Sequence, residues 1–215
     1  EEFQGELPVL GLVLSEGKGT FDAQPDGSAS ITASVKSGEG TLTVDGGLSW
    51  YGDATPLQLA IRGQNVLVSD TAMLRAVAAP DLQFSIVDRT MLLRGQVDIP
   101  SARLDLERFD SGVSPSDDVV VVDPVDPEEG PDAPLDMDLA LVLGDGVQLS
   151  GFGLDGTLAG RLQVRSRPGR DMTATGVLDV GGEYKAYGQE LAISRGQLTW
   201  SNNLVSDPRI NLRAE

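Results

Sequence analysis

The chain has 215 residues, enough for one large or two small domains with a buried core. Its 16 basic and 33 acidic residues give a formal net charge of −17, which repels phosphate backbones, so nucleic acid is not an expected partner. The absence of Cys and His excludes disulfides, thiolate nucleophiles, serine protease-like triads and typical zinc sites. We therefore expect a protein that is not an enzyme and that holds neither metal nor cofactor.

Apolar residues alternate with polar ones along most of the chain, a pattern typical of half-buried strands. The alternation predicts strands at residues 42–44, 57–61, 82–86, 91–99, 104–106, 135–143, 147–149, 158–164, 178–180, 191–193, 198–200 and 210–212. Turns are predicted at Asp45-Gly46-Gly47, Asp145-Gly146 and Pro168-Gly169. The segment Ala72–Ala79 has a helix-favouring composition but strands on either side, and both interpretations stay open. The sequence thus predicts an all-β fold made of many short strands.

No stretch of the sequence is long and apolar enough to span a membrane. The longest aliphatic run, Leu139–Leu143, is far shorter than the roughly 18 to 20 residues that are needed. The sequence opens at Glu1 without a charged and then apolar leader. We expect a water-soluble segment of a longer protein.

One acidic stretch divides the chain. Residues 111–134 contain five prolines and seven carboxylates but no Lys or Arg. We therefore predict an N-terminal β-sheet segment at 1–110, an acidic, Pro-rich strand and loop at 111–134, and a C-terminal β segment at 135–215 that continues the same sheet. Within the acidic stretch, Val119–Val122 predicts a short strand and Pro124–Pro134 a mobile loop. An acidic docking segment for a basic partner is the alternative.

Two motifs imitate functional sites. Gly151–Gly156 matches the G-x-G-x-x-G spacing of dinucleotide sites, but the residues that follow alternate with period two, where such a site needs a helix. The same glycines form a single imperfect copy of a calcium-binding nonapeptide, which works only in tandem copies. Ser15–Lys18 has the S-x-x-K spacing of penicillin-recognising enzymes, in which a helix presents both side chains. The neighbouring glycines favour a loop here instead. None of these patterns predicts a site.

The C-terminal part of the sequence resembles the TamB family. The segment Gly182–Trp200, GEYKAYGQELAISRGQLTW, followed by DPRINLRA at Asp207–Ala214, resembles its C-terminal domain, and the resemblance extends upstream to Met91. Two positions depart from the family pattern. Trp200 stands where Phe is usual, and Asp207 stands where Asn is usual.

The resemblance implies the periplasmic part of an envelope-spanning protein, anchored in the inner membrane by a segment outside this chain, in a family that continues past the position of Glu215. It implies an elongated curled sheet that forms an open trough with an apolar concave face. The implied partners are the outer-membrane barrel protein TamA, phospholipid acyl chains and nascent outer-membrane proteins. The expected function is to conduct phospholipid toward the outer membrane, to assist the assembly of outer-membrane proteins, or both. An extracellular, adhesin-like β-solenoid that binds a surface ligand or calcium stays open as the alternative.

The period of two also predicts which side chains line the trough. A strand buried on one face sends alternate side chains inward. The candidates for the lipid groove are Leu139, Leu141, Leu143, Leu158, Leu162, Val164, Leu178, Val180, Leu191, Ile193, Leu198 and Trp200.

Overall fold

A computed structural model describes residues 2–50, 56–87, 90–110, 134–186 and 188–215. These residues form 13 strands, a 3-10 turn at Pro8–Leu10 and one short helix, α1, at Leu106–Asp110. The strands are β1 Glu2–Leu7, β2 Leu12–Ala23, β3 Ser28–Ser37, β4 Gly40–Ser49, β5 Leu57–Gln64, β6 Val66–Asp70, β7 Leu74–Val87, β8 Thr90–Asp105, β9 Leu135–Gly151, β10 Leu154–Arg167, β11 Arg170–Ala186, β12 Gln189–Leu204 and β13 Arg209–Ala214.

All the strands belong to one open, curled sheet. Neighbours in sequence are neighbours in the sheet, except that β5 and β6 both pair with β7, β5 along its second half and β6 along its first. Within the described chain, β1 pairs only with β2 and β13 only with β12, so the sheet does not close. The all-β class predicted from the sequence pattern and the open curled sheet implied by the family resemblance are both confirmed.

Strands β8 and β9 form the parallel pair of an otherwise antiparallel sheet, with Met91 opposite Leu135 and Asp105 opposite Ser150. Parallel neighbours need a long connection because the chain must return to the same end of the sheet. Residues 106–134 supply it. The predicted strand at 119–122 and the predicted loop at 124–134 lie outside the described residues, apart from Pro134, whose carbonyl accepts a hydrogen bond from the Met91 amide at 2.9 Å.

Several predicted boundaries are wrong because the sheet contains bulges. Strands β8, β9 and β12 each join two predicted strands, and the strands within residues 2–37 and 66–70 were not predicted. The predicted turn Asp45-Gly46-Gly47 lies inside β4. The predicted turn Asp145-Gly146 lies inside β9, at the point where the register between β9 and β8 shifts. Glycine inside a strand marks such a bulge or a close backbone approach as often as a turn.

The backbone conformation decides three further local predictions, which concern a turn, a segment open between helix and strand, and the G-x-G-x-x-G motif. Pro168-Gly169 is a turn, as predicted, with Gly169 at φ +67°. The segment Ala72–Ala79, open between helix and strand, belongs to β7 from Leu74 onward. Phe152 and Gly153 form the two-residue turn between β9 and β10, both with positive φ. The G-x-G-x-x-G motif is therefore a hairpin, with no helix after it.

Candidate functional site: the apolar face of the sheet

Cross-strand pairing brings apolar residues from both halves of the chain onto one face of the sheet. Residues directly opposite each other in neighbouring strands point to the same side. One such row crosses nine strands, each member opposite the next: Gly19, Ala33, Val44, Ile61, Leu82, Gly95, Leu139, Val164 and Ala174. We call the side that carries this row the apolar face, and the other side the polar face.

The pairing places all twelve groove candidates on the apolar face. Leu141 lies opposite Leu162, Leu158 opposite Val180, and Leu178 opposite Leu198. The buried candidates are Leu162, Val164, Leu178, Val180 and Trp200. The half-buried candidates are Leu139, Leu141, Leu143, Leu158, Leu191, Ile193 and Leu198. The twelve residues that the alternation predicted therefore all lie on one side of β9 to β12.

A buried cluster forms the centre of this face in β10 to β12. It consists of Leu162, Val164, Ala174, Leu178 and Trp200, with half-buried apolar residues around it. Trp200 is 7% exposed, and its indole Nε1 donates to the carbonyl oxygen of Val205 at 3.0 Å. The described strands form no second sheet. These side chains are therefore buried largely by one another.

Mid-strand glycines bend the strands under this cluster. Gly160 in β10 and Gly176 in β11 have φ values of +136° and +143°, which L side chains rarely adopt. A Cβ atom on Gly176 would also collide with the carbonyl oxygen of Arg161, and one on Gly160 with that of Val177. Only glycine suits these two positions, and glycine inside a strand often marks such a bend.

The sequence analysis missed that the apolar face continues through the N-terminal strands. Val44, Ile61 and Leu82 lie in the same row as Leu139, and all three are half-buried. The signal was available, because the predicted strands at 42–44, 57–61 and 82–86 show the same period of two. The face is open near both sides of the sheet. There, Phe21 in β2 is 59% exposed and Ile210 in β13 is 65% exposed.

Hydrogen-bonded charges cross the polar face behind the buried cluster. Asp138 in β9 lies between Arg94 of β8 and Arg165 of β10, and its Oδ2 is 3.2 Å from Arg165 Nε. The amide of Gln163 also donates to its Oδ1. Burial acts to raise the pKa of Asp138, but hydrogen bonds from Gln163 and Arg165 and the nearby positive charges outweigh it, so its pKa lies below the ordinary value. Asp138 is therefore ionised at neutral pH and links β9 to β10, while Arg94 of β8 forms an ion pair with Asp136 of β9 at 2.8 Å.

The arrangement offers apolar contact rather than reactive groups. Within the described ranges, no three acidic side chains are grouped as a metal would require. In the same ranges, no helix combines the length and the hydropathy needed to cross a membrane. A continuous aliphatic surface on one side of a curled sheet can shelter an apolar ligand from water.

Comparison with known proteins gives two matches. The family model of the TamB C-terminal domain matches residues 29–215. The chain is also similar to the translocation and assembly module subunit TamB of Haemophilus influenzae, with 23% identity over 204 residues. That alignment covers 88% of this chain and 16% of the relative, so the chain spans about one sixth of the relative's length.

Proposed function

Because the chain belongs to the TamB family, whose C-terminal domain it matches over residues 29–215, we propose that it is a periplasmic, non-enzymatic section of a longer envelope protein that serves outer-membrane assembly. The longer protein is anchored in the inner membrane outside this chain. The apolar face of this chain is the concave side of the trough and binds phospholipid acyl chains on their way to the outer membrane. TamA and nascent outer-membrane proteins are its proposed protein partners, and the Haemophilus influenzae relative is named as a subunit of a translocation and assembly module.

One observation carries this proposal, namely the unbroken row of apolar or glycine residues from β2 to β11. Burying an acyl chain contributes about 0.8 kcal/mol per CH₂ group, so a few contacts along such a row hold a lipid without any polar recognition. The exposed Phe21 and Ile210 offer contact with an acyl chain near either side of the sheet. A ligand held only by non-directional contacts can move from strand to strand.

The test is native mass spectrometry of the purified chain, with bound phospholipid as the readout. Phe21→Arg and Ile210→Arg place charges on the apolar face at exposed positions, where the fold tolerates them. The matched control is Val13→Arg, which is 65% exposed on the polar face of β2 beside Glu6. Both apolar-face variants should lose most of the bound phospholipid, and the control should keep it.

Two results would contradict the proposal. One is wild-type protein that contains no phospholipid after expression in bacteria and takes up none from vesicles. The other is equal phospholipid content in the apolar-face variants and the control, which would place the lipid elsewhere. Circular dichroism of all three variants checks that the strand content is unchanged.

A further inference from the structure

The densest group of basic residues lies at the β10–β11 turn. The ten residues 161–170 contain four of the chain's 16 basic residues and no carboxylate. The chain as a whole has a net charge of −17. Such a segment creates a local field of opposite sign, which concentrates anions at one place on a surface that otherwise repels them.

Two of these arginines face each other directly. Arg167 in β10 is the cross-strand partner of Arg170 in β11, and like charges directly opposite each other destabilise a sheet. Among the described residues, neither guanidinium takes part in an ion pair. Arg165 lies two residues before Arg167, so it points to the same polar face, where Asp138 holds it and half of its side chain stays exposed. Three guanidinium groups therefore gather here, and among the described residues only that of Arg165 is held in an ion pair.

The three arginines line a depression of about 340 Å³. Thr173 and Asn202 add a hydroxyl and an amide to its lining, and Asp171 adds one carboxylate. Arg167, Arg170 and Asp171 together leave a net positive charge. The volume lies in the range of small-ligand pockets and exceeds what a bare phosphate ion needs.

We propose that this depression, formed by Arg165, Arg167 and Arg170, is a binding site for a phosphate group carried as an ester. Guanidinium forks match phosphate oxygens in pairs, and an anion between Arg167 and Arg170 removes the repulsion between them. A lipid headgroup and a small soluble phosphate share this chemistry. The site lies on the polar face and is independent of acyl-chain binding to the apolar face.

Titration calorimetry of the purified chain at low salt tests the site with two probes. These are inorganic phosphate and dihexanoyl phosphatidylglycerol below its micelle concentration. The variant Arg167→Gln/Arg170→Gln should bind both probes at least tenfold more weakly than wild type. Its fold is kept because two like charges are removed from exposed positions. Dihexanoyl phosphatidylglycerol that binds at least tenfold more tightly than inorganic phosphate assigns the site to lipid headgroups, and equal affinities assign it to soluble phosphate.

The matched control is Arg195→Gln/Arg213→Gln, which removes two arginines that are also direct cross-strand partners. It changes the net charge by the same amount and should stay within twofold of wild type. The proposal is overturned if wild type binds neither probe, if Arg167→Gln/Arg170→Gln binds as tightly as wild type, or if the control loses as much affinity. Because inorganic phosphate has no acyl chain, its result does not depend on the lipid proposal.

Discussion

Strands β9 to β13 and strands β1 to β7 bury the face they share to different extents. The buried apolar residues of β9 to β13 are mostly large, as in Leu162, Leu178 and Trp200. Those of β1 to β7 include three alanines, together with Leu12 and Val66. The larger apolar residues of the N-terminal strands, such as Val44 and Ile61, are only half-buried.

The positions of the positive-φ glycines also differ between the two groups of strands. Among the described residues of β1 to β7 and their turns, the glycines with positive φ are Gly11, Gly27 and Gly38, which lie between elements. In β10 and β11 they also lie inside strands, as at Gly160 and Gly176. Glycine inside a strand often marks a tight bend, which brings the side chains of one face together. The C-terminal strands therefore supply a packed core, and the N-terminal strands supply accessible apolar surface.

The largest expected effect is the loss of a buried leucine in the C-terminal strands. Leu162→Ala should lower the free energy of unfolding by about 2–5 kcal/mol, because it leaves a cavity in the buried cluster. Leu42→Ala, at a half-buried position of β4, should cost only about 1 kcal/mol. Urea unfolding of both variants measures the difference. Equal losses would show that the two halves are packed alike.

Alanine in place of a mid-strand glycine tests the cause of the bend. Gly176→Ala should destabilise the chain by about 1–3 kcal/mol, because the residue needs positive φ and its Cβ meets the carbonyl oxygen of Arg161. Gly19→Ala in β2 should change stability by less than about 1 kcal/mol, since its Cβ would lie 3.9 Å from that of Ala33. Thermal unfolding of the two variants compares them. A neutral Gly176→Ala would remove the glycine explanation.

Amide hydrogen exchange should separate the two halves without any mutation. We expect the amides of Leu162, Ala174 and Leu178 to exchange at least about tenfold more slowly than those of Ala33 and Val44, because well-packed strands open less often. Exchange followed by NMR at one pH gives the ratio directly. Similar protection in both groups would mean that the sheet opens as a single unit.

The smallest expected effect is the pH dependence that comes from Asp138. Its pKa is lowered in the folded chain, so its contribution to stability is present above the unfolded pKa of about 3.9 and is lost as the pH falls through the folded value. Asp138→Asn should therefore be less stable than wild type at pH 7, by no more than about 1 kcal/mol, and the gap should shrink below about pH 4.

The control for this experiment is Asp22→Asn, at an exposed position of β2. It removes the same negative charge from the chain. An equal loss of stability at pH 7 in the control would assign the effect to net charge rather than to the interactions of Asp138.

The sequence was most informative where large apolar residues alternate without a break. Leu139, Leu141 and Leu143 define their strand and its apolar side at once. In β3, by contrast, the apolar side is carried partly by Ala29 and Ala33 between Ser and Thr residues, and this weak contrast hid the strand. Alternation also fails at bulges, as in β12, where the register with β11 shifts between the two predicted segments.

The candidate site was predicted in part for the same reason. The period of two showed which side of each strand is apolar, but not which strands lie side by side. The row from Val44 to Leu139 depends on pairings between residues far apart in sequence. The arginine depression was likewise hidden, because its density of charge is visible in the sequence but the direct opposition of Arg167 and Arg170 is a matter of register.

The parallel pairing of β8 with β9 has a consequence for the order in which the chain folds. Most other strand pairs join neighbours through short turns, so they can form locally and early. The β8–β9 pair instead joins residues such as Met91 and Leu135, which are far apart in sequence, and it must close a long loop before any of its contacts form. We therefore expect β1 to β8 and β9 to β13 to form first, as two local arrays of antiparallel strands, and the β8–β9 pairing to form last.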